Sequence, residues 1–287
     1  MEAICKAISE ATGKQQQFLE ESYLGGGCIN EAKKITTTAG HWFVKFNSPE
    51  FAEIFAAEAK ALEELGQTNT IRVPETIAHG VIQGKAFLVL EYIELQSARR
   101  KSHAIAGEQL AKLHQTKGKQ FGWDQDNVIG ATLQINQWKD NWIDFYREHR
   151  LQYQFDLAER NGKTFEGTEV LLDGLDSFFL DYQPEPSLLH GDLWGGNMSY
   201  DQEGNPVIYD PATYYGDRET DVAFTEMFGG FTAEFYQAYD QTWPLDQGFA
   251  TRKELYNLYH YLNHHNLFGG GYASSAQAII TRLIGHL

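Results

Sequence analysis

Apolar and polar positions alternate along Phe18–Asn47, which predicts three short strands, FLEESYL, INEAKKITTT and HWFVKFN. Turn signals at Gly25-Gly26-Gly27 and Ala39-Gly40 separate them. The period then lengthens. From the start signal Ser48-Pro49 to Gly66, the residues Phe51, Ile54, Phe55, Leu62 and Leu65 fall on one stripe of a helix that Gly66 is expected to close. Residues 75–81 and 85–93 predict two more strands around Gln83-Gly84, the second a near-continuous apolar run. After Ser97 the pattern is helical, through HAIAGEQLAKLHQ, INQWKDNWIDFYREHRLQYQFDLAER and TEVLLDGLDSFF. It stays so through GDRETDVAFTEMFGGF and two closing helices, RKELYNLYHYLNHHNLFGGGY and ASSAQAIITRLIGHL. The opening MEAICKAISEATGK reads as an amphipathic helix, and no internal repeat or low-complexity tract interrupts the chain. Strands first and helices afterwards imply an α+β fold.

Two charges break this pattern. Lys45 stands inside the third strand between Val44 and Phe46, and Glu58 falls on the apolar stripe of the following helix, seven residues after Phe51 and four before Leu62. A cation in an apolar segment needs a partner. The simplest expectation is an ion pair between the two; the alternative is a lysine that snorkels to solvent and a glutamate at the helix edge.

Composition narrows the class. A chain of 287 residues with 42% hydrophobic and 14% aromatic residues has ample core for one large or one two-lobed unit. No apolar run approaches the ~20 residues that span a bilayer, and the first residues lack a signal-peptide core, so the expectation is a cytoplasmic chain. The only cysteines, Cys5 and Cys28, exclude a disulfide framework and a cysteine-based zinc site. Cys28 adjoins the glycine run, which makes it either a small turn residue or a candidate redox position. A net charge of −16 argues against nucleic acid and anionic membrane as partners, and would favour a cationic substrate.

The stretch 188–212, LLHGDLWGGNMSYDQEGNPVIYDPA, carries the chemistry. Asp192 lies two residues after His190 and five before Asn197, and Asp210 follows the apolar run Val207-Ile208-Tyr209, with hairpin signals DQEGNP in between. Taken singly, the three residues suit a turn cap, a loop amide and a strand stop. Jointly they reproduce the spacing of a kinase catalytic loop, in which Asp accepts the proton of the acceptor hydroxyl while Asn and a later Asp hold Mg²⁺ at the phosphates of ATP. Lys45 and Glu58 then correspond to the phosphate-binding lysine and its partner. Gly25, Gly26 and Gly27 would let backbone N–H groups approach phosphate, or form a plain hairpin turn. Glu91, Tyr92 and Ile93 occupy the position at which kinases cross between lobes and offer backbone groups to adenine. The expected fold is therefore protein-kinase-like and two-lobed. Its small N-terminal lobe, 1–93, would hold an antiparallel sheet and one helix, and its larger, mostly helical lobe, 94–287, the acceptor.

Only ten residues separate Asp210 from Asp221, already in a helical pattern, and Asp210 is followed by Pro211-Ala212. That leaves no room for a peptide-docking segment, which points to a small-molecule acceptor. His114 reads as a structural histidine. His260 and His264 are four residues apart with no acid to complete a metalloprotease site, so His260, Asn263, His264, His265 and Asn266 read as a solvated or substrate-facing edge.

HGDLWGGN, YDPATYYGDRE, MFGGF and YLNHHNLFG together resemble the fructosamine 3-kinase, or ketosamine kinase, family of the aminoglycoside phosphotransferase-like superfamily, over nearly the whole chain. The resemblance implies ATP- and Mg²⁺-dependent phosphorylation of the 3-hydroxyl of a small-molecule or protein-bound ketosamine, a deglycation activity. It leaves monomer or dimer open. Asp192 is then similar to the catalytic base, Asn197 and Asp210 to the Mg²⁺ ligands and Trp194 to a substrate-facing aromatic. Asp217 would face the acceptor amine, Asn263 and His264 would line the acceptor site, and His190 and Asp221 would support the catalytic loop. GDRETD also resembles aminoglycoside and choline kinases, which keeps those acceptors and sugars as alternatives. A nucleotide-binding pseudokinase acting as an interaction module is the alternative from a different class.

Overall fold

The computed structural model describes residues 1–25 and 30–287. The expectations for Gly26, Gly27 and Cys28 lie outside the described residues. The chain divides into two compact units, Met1–Ser102 with Ser199–Pro211, and His103–Met198 with Ala212–Leu287. This partition differs from a single cut after residue 93, because residues 94–102 and all but the first residue of the hairpin that precedes Asp210 belong with the first unit.

In the first unit a five-stranded antiparallel sheet has the order β1-β2-β3-β5-β4. Its strands are β1 (Phe18–Tyr23), β2 (Glu31–Thr37), β3 (Gly40–Asn47), β4 (Thr76–Ile82) and β5 (Lys85–Glu91). Side chains on β3 alternate between faces. Val44 and Phe46 join Ile35, Phe87 and Val89 against Ile4 and Ile8 of the opening helix α1 (Glu2–Thr12). On the other face Phe43, Leu88 and Leu90 pack on Phe55, Ala59 and Leu62 of helix α2 (Ala52–Gln67). Lys45 shares the parity of Phe43, and so points toward α2. The helix begins with a 3-10 turn at Pro49–Phe51 and runs through Gly66 rather than ending there. One glycine costs a helix only about 1 kcal/mol, and here the packing of Leu62 and Leu65, both buried, carries the helix past it.

Two more strands of the same unit, β9 (Met198–Tyr200) and β10 (Pro206–Ile208), form the expected hairpin. Asp201 Oδ1 accepts the N–H groups of Glu203 and Asn205, each at 2.9 Å, which closes the turn. Arg72, which no local pattern marks, ties the hairpin to the sheet. Its Nη1 donates to Asp201 Oδ2 at 3.0 Å, its Nη2 to Glu91 at 2.6 Å, and its carbonyl accepts Ile208 N–H at 3.0 Å.

The second unit is mainly helical: α3 (Ser102–His114), α4 (Trp142–Tyr146), α5 (Tyr153–Arg160), α6 (Thr168–Asp173), α7 (Glu219–Met227), α8 (Ala233–Thr242), α9 (Phe249–Phe268) and α10 (Tyr272–Ile284). Short strands β6 (Asn127–Ile129) and β7 (Thr132–Gln134) pair as a hairpin, as do β8 (Ser187–Leu189) and β11 (Tyr214–Gly216). The helical run expected from Ile135 begins only at Trp142. Asn141 caps it, its Oδ1 accepting the N–H groups of Ile143 at 2.7 Å and Asp144 at 3.1 Å, so the seven preceding residues stay extended or turned. Between α4 and α5 the helix widens into a π turn over Arg147–Gln152. Among the described residues no helix is long and apolar enough to cross a membrane.

Candidate functional site

Lys45 Nζ lies 2.6 Å from Glu58 Oε1 and 2.6 Å from Asp210 Oδ1. Burial alone would lower the pKa of this lysine, but the two carboxylates outweigh it and hold the ammonium above its usual range. The expected ion pair is present, and the acid at the end of β10 joins it. Asp210 adopts φ 56°, a left-handed conformation tolerated by Asp more readily than by most residues, immediately before Pro211. The strand therefore ends abruptly and leaves the carboxylate half exposed. Gly25 has open space where a Cβ would stand. Glu91 is engaged by Arg72, and its N–H donates to Glu75 O at 2.8 Å. Tyr92 lies beyond the strand end with Lys34 Nζ 4.4 Å from its ring centroid, and Ile93 follows it, half-buried.

In the second unit the loop after β8 is held by Asp221, the third residue of α7. Its carboxylate accepts His190 N–H at 2.7 Å and Gly191 N–H at 2.8 Å, and His114 Nε2 lies 3.1 Å from it. Burial opposes this charge, but the hydrogen bonds from His114 and the loop amide outweigh it and hold Asp221 below the ordinary carboxylate range. His114 is driven down by its own burial and stays neutral, so Nε2–H donates to Asp221 while Nδ1 accepts from Tyr239 OH at 2.8 Å. His190 is fully buried, and its Nδ1 accepts Asp192 N–H at 3.2 Å. Asn197 Nδ2 donates to Asp192 Oδ2 at 3.1 Å and to Asp192 O at 2.9 Å, which orients the aspartate.

Two glycines of this loop have close neighbours, backbone in the one case and a side chain in the other. Gly191 has φ 83°, and a Cβ there would lie 2.0 Å from Ala212 O; a Cβ on Gly196 would lie 2.3 Å from the Trp194 indole. Gly191→Ala is therefore expected to destabilise the fold by more than the about 1–2 kcal/mol that a left-handed backbone costs an L-residue. A urea midpoint equal to that of the wild type would show that the loop can withdraw from Ala212.

Of the residues expected to meet an acceptor, Trp194 has 38% of its surface exposed. Its ring is 5.9 Å from Phe228, which is 5.1 Å from His264, and His264 in turn is 5.1 Å from Tyr272 and 5.7 Å from Phe268. Burial keeps His264 neutral. This aromatic row was not foreseen beyond Trp194 and His264. Its only local signal is that Phe228 and Phe268 each stand before a glycine pair of positive φ.

Two expectations need correction. Asp217 is fully buried, and its carboxylate is enclosed by Tyr182 OH at 2.8 Å, Glu219 N–H at 3.0 Å and Tyr256 OH, so it cannot face an acceptor amine. Asn263 is 2% exposed, accepting from Gln154 Nε2 at 3.2 Å, and is likewise structural. His260 belongs inside too, stacked on Phe224 with ring centroids 3.5 Å apart. Among the described residues no three His, Cys, Asp or Glu side chains gather as a metal cage.

The fructosamine kinase family model matches residues 1–286. A Synechocystis protein provisionally named a ketoamine kinase is 46% identical over 99% of this chain and 96% of its own. The chloroplastic protein-ribulosamine 3-kinase of Arabidopsis thaliana is 42% identical over 93% of this chain and 83% of its own. A crystal structure from Haemophilus somnus 129PT, provisionally named a fructosamine-3-kinase, superposes with a TM-score of 0.91 at 32% identity, covering 98% of this chain and 96% of its own. The fold class is the protein-kinase-like α+β one, and the chain belongs to the fructosamine kinase family.

Proposed function

We propose that the protein transfers the γ-phosphoryl group of ATP to the 3-hydroxyl of a ketosamine, free or protein-bound. The observation that carries this reading is Lys45 held at 2.6 Å by both Glu58 and Asp210, the kinase arrangement for gripping nucleotide phosphates, in a chain that matches ketosamine-kinase relatives end to end.

Asp192 is the base. As the phosphorus–O3 bond forms and the bond to the ADP oxygen breaks, the hydroxyl proton passes to its carboxylate, which Asn197 keeps in one orientation. Lys45 supplies fixed positive charge to the phosphates, and Glu58 keeps its ammonium from swinging away. Asp210 and Asn197 would hold Mg²⁺. Their chemistry fits: a half-exposed carboxylate, and an amide whose nitrogen is engaged by Asp192 so that its Oδ1 accepts from no described residue. Both are hard oxygen donors, and so few protein ligands suit an ion that keeps phosphate and water as its others. When bound, Mg²⁺ neutralises the charge that develops on the phosphoryl oxygens. The product, a ketosamine 3-phosphate, is unstable and releases the amine.

With Asp217 buried, the cationic amine of the acceptor meets rings instead. Trp194 and Phe228 present exposed aromatic faces that attract an ammonium through their quadrupoles, and neutral His264 does not repel it. The test is ADP release with ATP, Mg²⁺ and a panel of ribose- and glucose-derived ketosamines, aminoglycosides and choline. Turnover with ketosamines followed by free amine is the expected result. Turnover only with an aminoglycoside or choline would replace the acceptor, and none with any acceptor would revive the pseudokinase alternative.

A further inference from the structure

We propose that a buried ladder of side-chain amides, Gln134, Asn127 and Asn136, anchored on Arg150, positions the backbone leaving Asp210 and so sets the protein's grip on Mg²⁺. The inference rests on the reading of Asp210 as a metal ligand. Hairpin pairing places Asn127 directly opposite Gln134. Gln134 Nε2 donates to Ala212 O at 3.0 Å and Asn127 Nδ2 to Thr213 O at 2.8 Å. The two amides thus hold the second and third carbonyls after Asp210. Ala212 N–H in turn donates to His190 O at 2.9 Å, and Ala212 O is the atom that leaves no room for a side chain on Gly191. The segment leaving Asp210 is therefore pinned between the ladder and the catalytic loop, with only Pro211, of fixed φ, in between.

Arg150 gives the ladder its direction. It is fully buried in the π turn and, among the described residues, has no carboxylate at ion-pair distance. Its charge is held by oxygens and rings: Nη1 donates to Ile135 O at 2.6 Å and Nη2 to Asn136 Oδ1 at 2.8 Å. The guanidinium carbon lies 4.1 Å from the Tyr214 ring centroid and 4.6 Å from that of Phe145. A buried cation without a carboxylate is costly unless hydrogen bonds and ring faces compensate it, as these do. A guanidinium can only donate. It therefore turns Asn136 Oδ1 toward itself and Asn136 Nδ2 toward Asn127 Oδ1, at 3.0 Å, which leaves Asn127 Nδ2 for Thr213. Gln134 Nε2 joins the same Asn127 oxygen at 2.8 Å, and its Oε1 accepts from Tyr259 OH at 2.9 Å. Flipping any one amide would set donor against donor and acceptor against acceptor. The ladder runs from a donor-only end to two acceptor-only carbonyls and has one arrangement.

The positioning role is tested on the whole protein by calorimetric titration with a non-hydrolysable ATP analogue, with Mg²⁺ and with EDTA, alongside thermal midpoints. In Gln134→Met, which keeps the length of the side chain and removes its hydrogen bonds, the affinity gained from Mg²⁺ should shrink by about 10- to 100-fold while affinity in EDTA is unchanged. Tyr259→Phe removes only the hydroxyl on Gln134 Oε1 and should lower the same gain by a smaller factor; it carries the test if Gln134→Met does not fold. A folded variant that keeps the full Mg²⁺ gain overturns the ladder's role, whatever its thermal midpoint. Absence of a Mg²⁺ gain in the wild type overturns the metal assignment itself, and the ladder's role with it.

Discussion

Replacing Asp192 with Asn is expected to lower kcat by about 10³-fold, within the range a positioned general base contributes, while nucleotide affinity stays close to that of the wild type. The substitution keeps the shape of the side chain and removes its capacity to take a proton. The loop should survive it, because the bond from Asn197 Nδ2 to the backbone carbonyl of residue 192 does not involve the side chain, and Asp221 continues to hold His190 and Gly191. Steady-state rates with a ketosamine and calorimetric titration with an ATP analogue separate the two effects. An unchanged kcat would remove Asp192 from the chemistry, whereas loss of nucleotide binding would mean that the variant had disturbed the fold.

Lys45→Met should have the second largest effect, and it should act twice. On the rate, loss of the fixed charge that we propose faces the phosphates is expected to lower kcat/KM by about 10²- to 10³-fold, as removal of a single preorganised electrostatic group typically does. On stability, it strands the nearly buried Glu58 carboxylate, and breaking a buried pair from one side costs about 3–5 kcal/mol. The double variant Lys45→Met/Glu58→Gln should regain much of that stability, because the stranded charge is gone, and none of the activity. Denaturant midpoints and rates measured on the same preparations give both numbers; recovery of activity in the double variant would show that the lysine's charge is not what the reaction uses. The raised pKa of Lys45 makes its contribution to stability complete below the unfolded lysine value of about 10.4, and lost only as pH rises through the higher folded value. No pH dependence near neutrality should therefore come from the lysine.

Much of this machinery was legible because it is local. His190, Asp192 and Asn197 lie within eight residues, so their spacing survives any error in placing distant elements. The meeting of Lys45 with Glu58 followed from two periods read together, since alternation sends Lys45 to the same face as Phe43 and the helical stripe sends Glu58 back at it. Asp221 could be tied to the catalytic loop only through the family resemblance; its two bonds to backbone N–H groups are the physical content of that tie. The helix expected from Ile135 failed for the converse reason: apolar spacing alone cannot say where a helix begins, and the cap at Asn141 decided it.

By itself, the sequence determined which residue types could take a proton, hold a cation or grip a phosphate, and that strands precede helices, because spacing and period are properties of neighbouring residues. Only the tertiary structure decided which of the polar residues reach solvent. Asp217 and Asn263 read as acceptor contacts and proved to be enclosed, the one by hydroxyls of Tyr182 and Tyr256, the other by Gln154. Arg72 and the amide ladder on Arg150 carried no local mark at all, since what they hold, Asp201 in the one case and the carbonyls of Ala212 and Thr213 in the other, comes from chain tens of residues away. Burial and hydrogen-bond satisfaction are set by whatever packs from a distance, and that information lies in the fold.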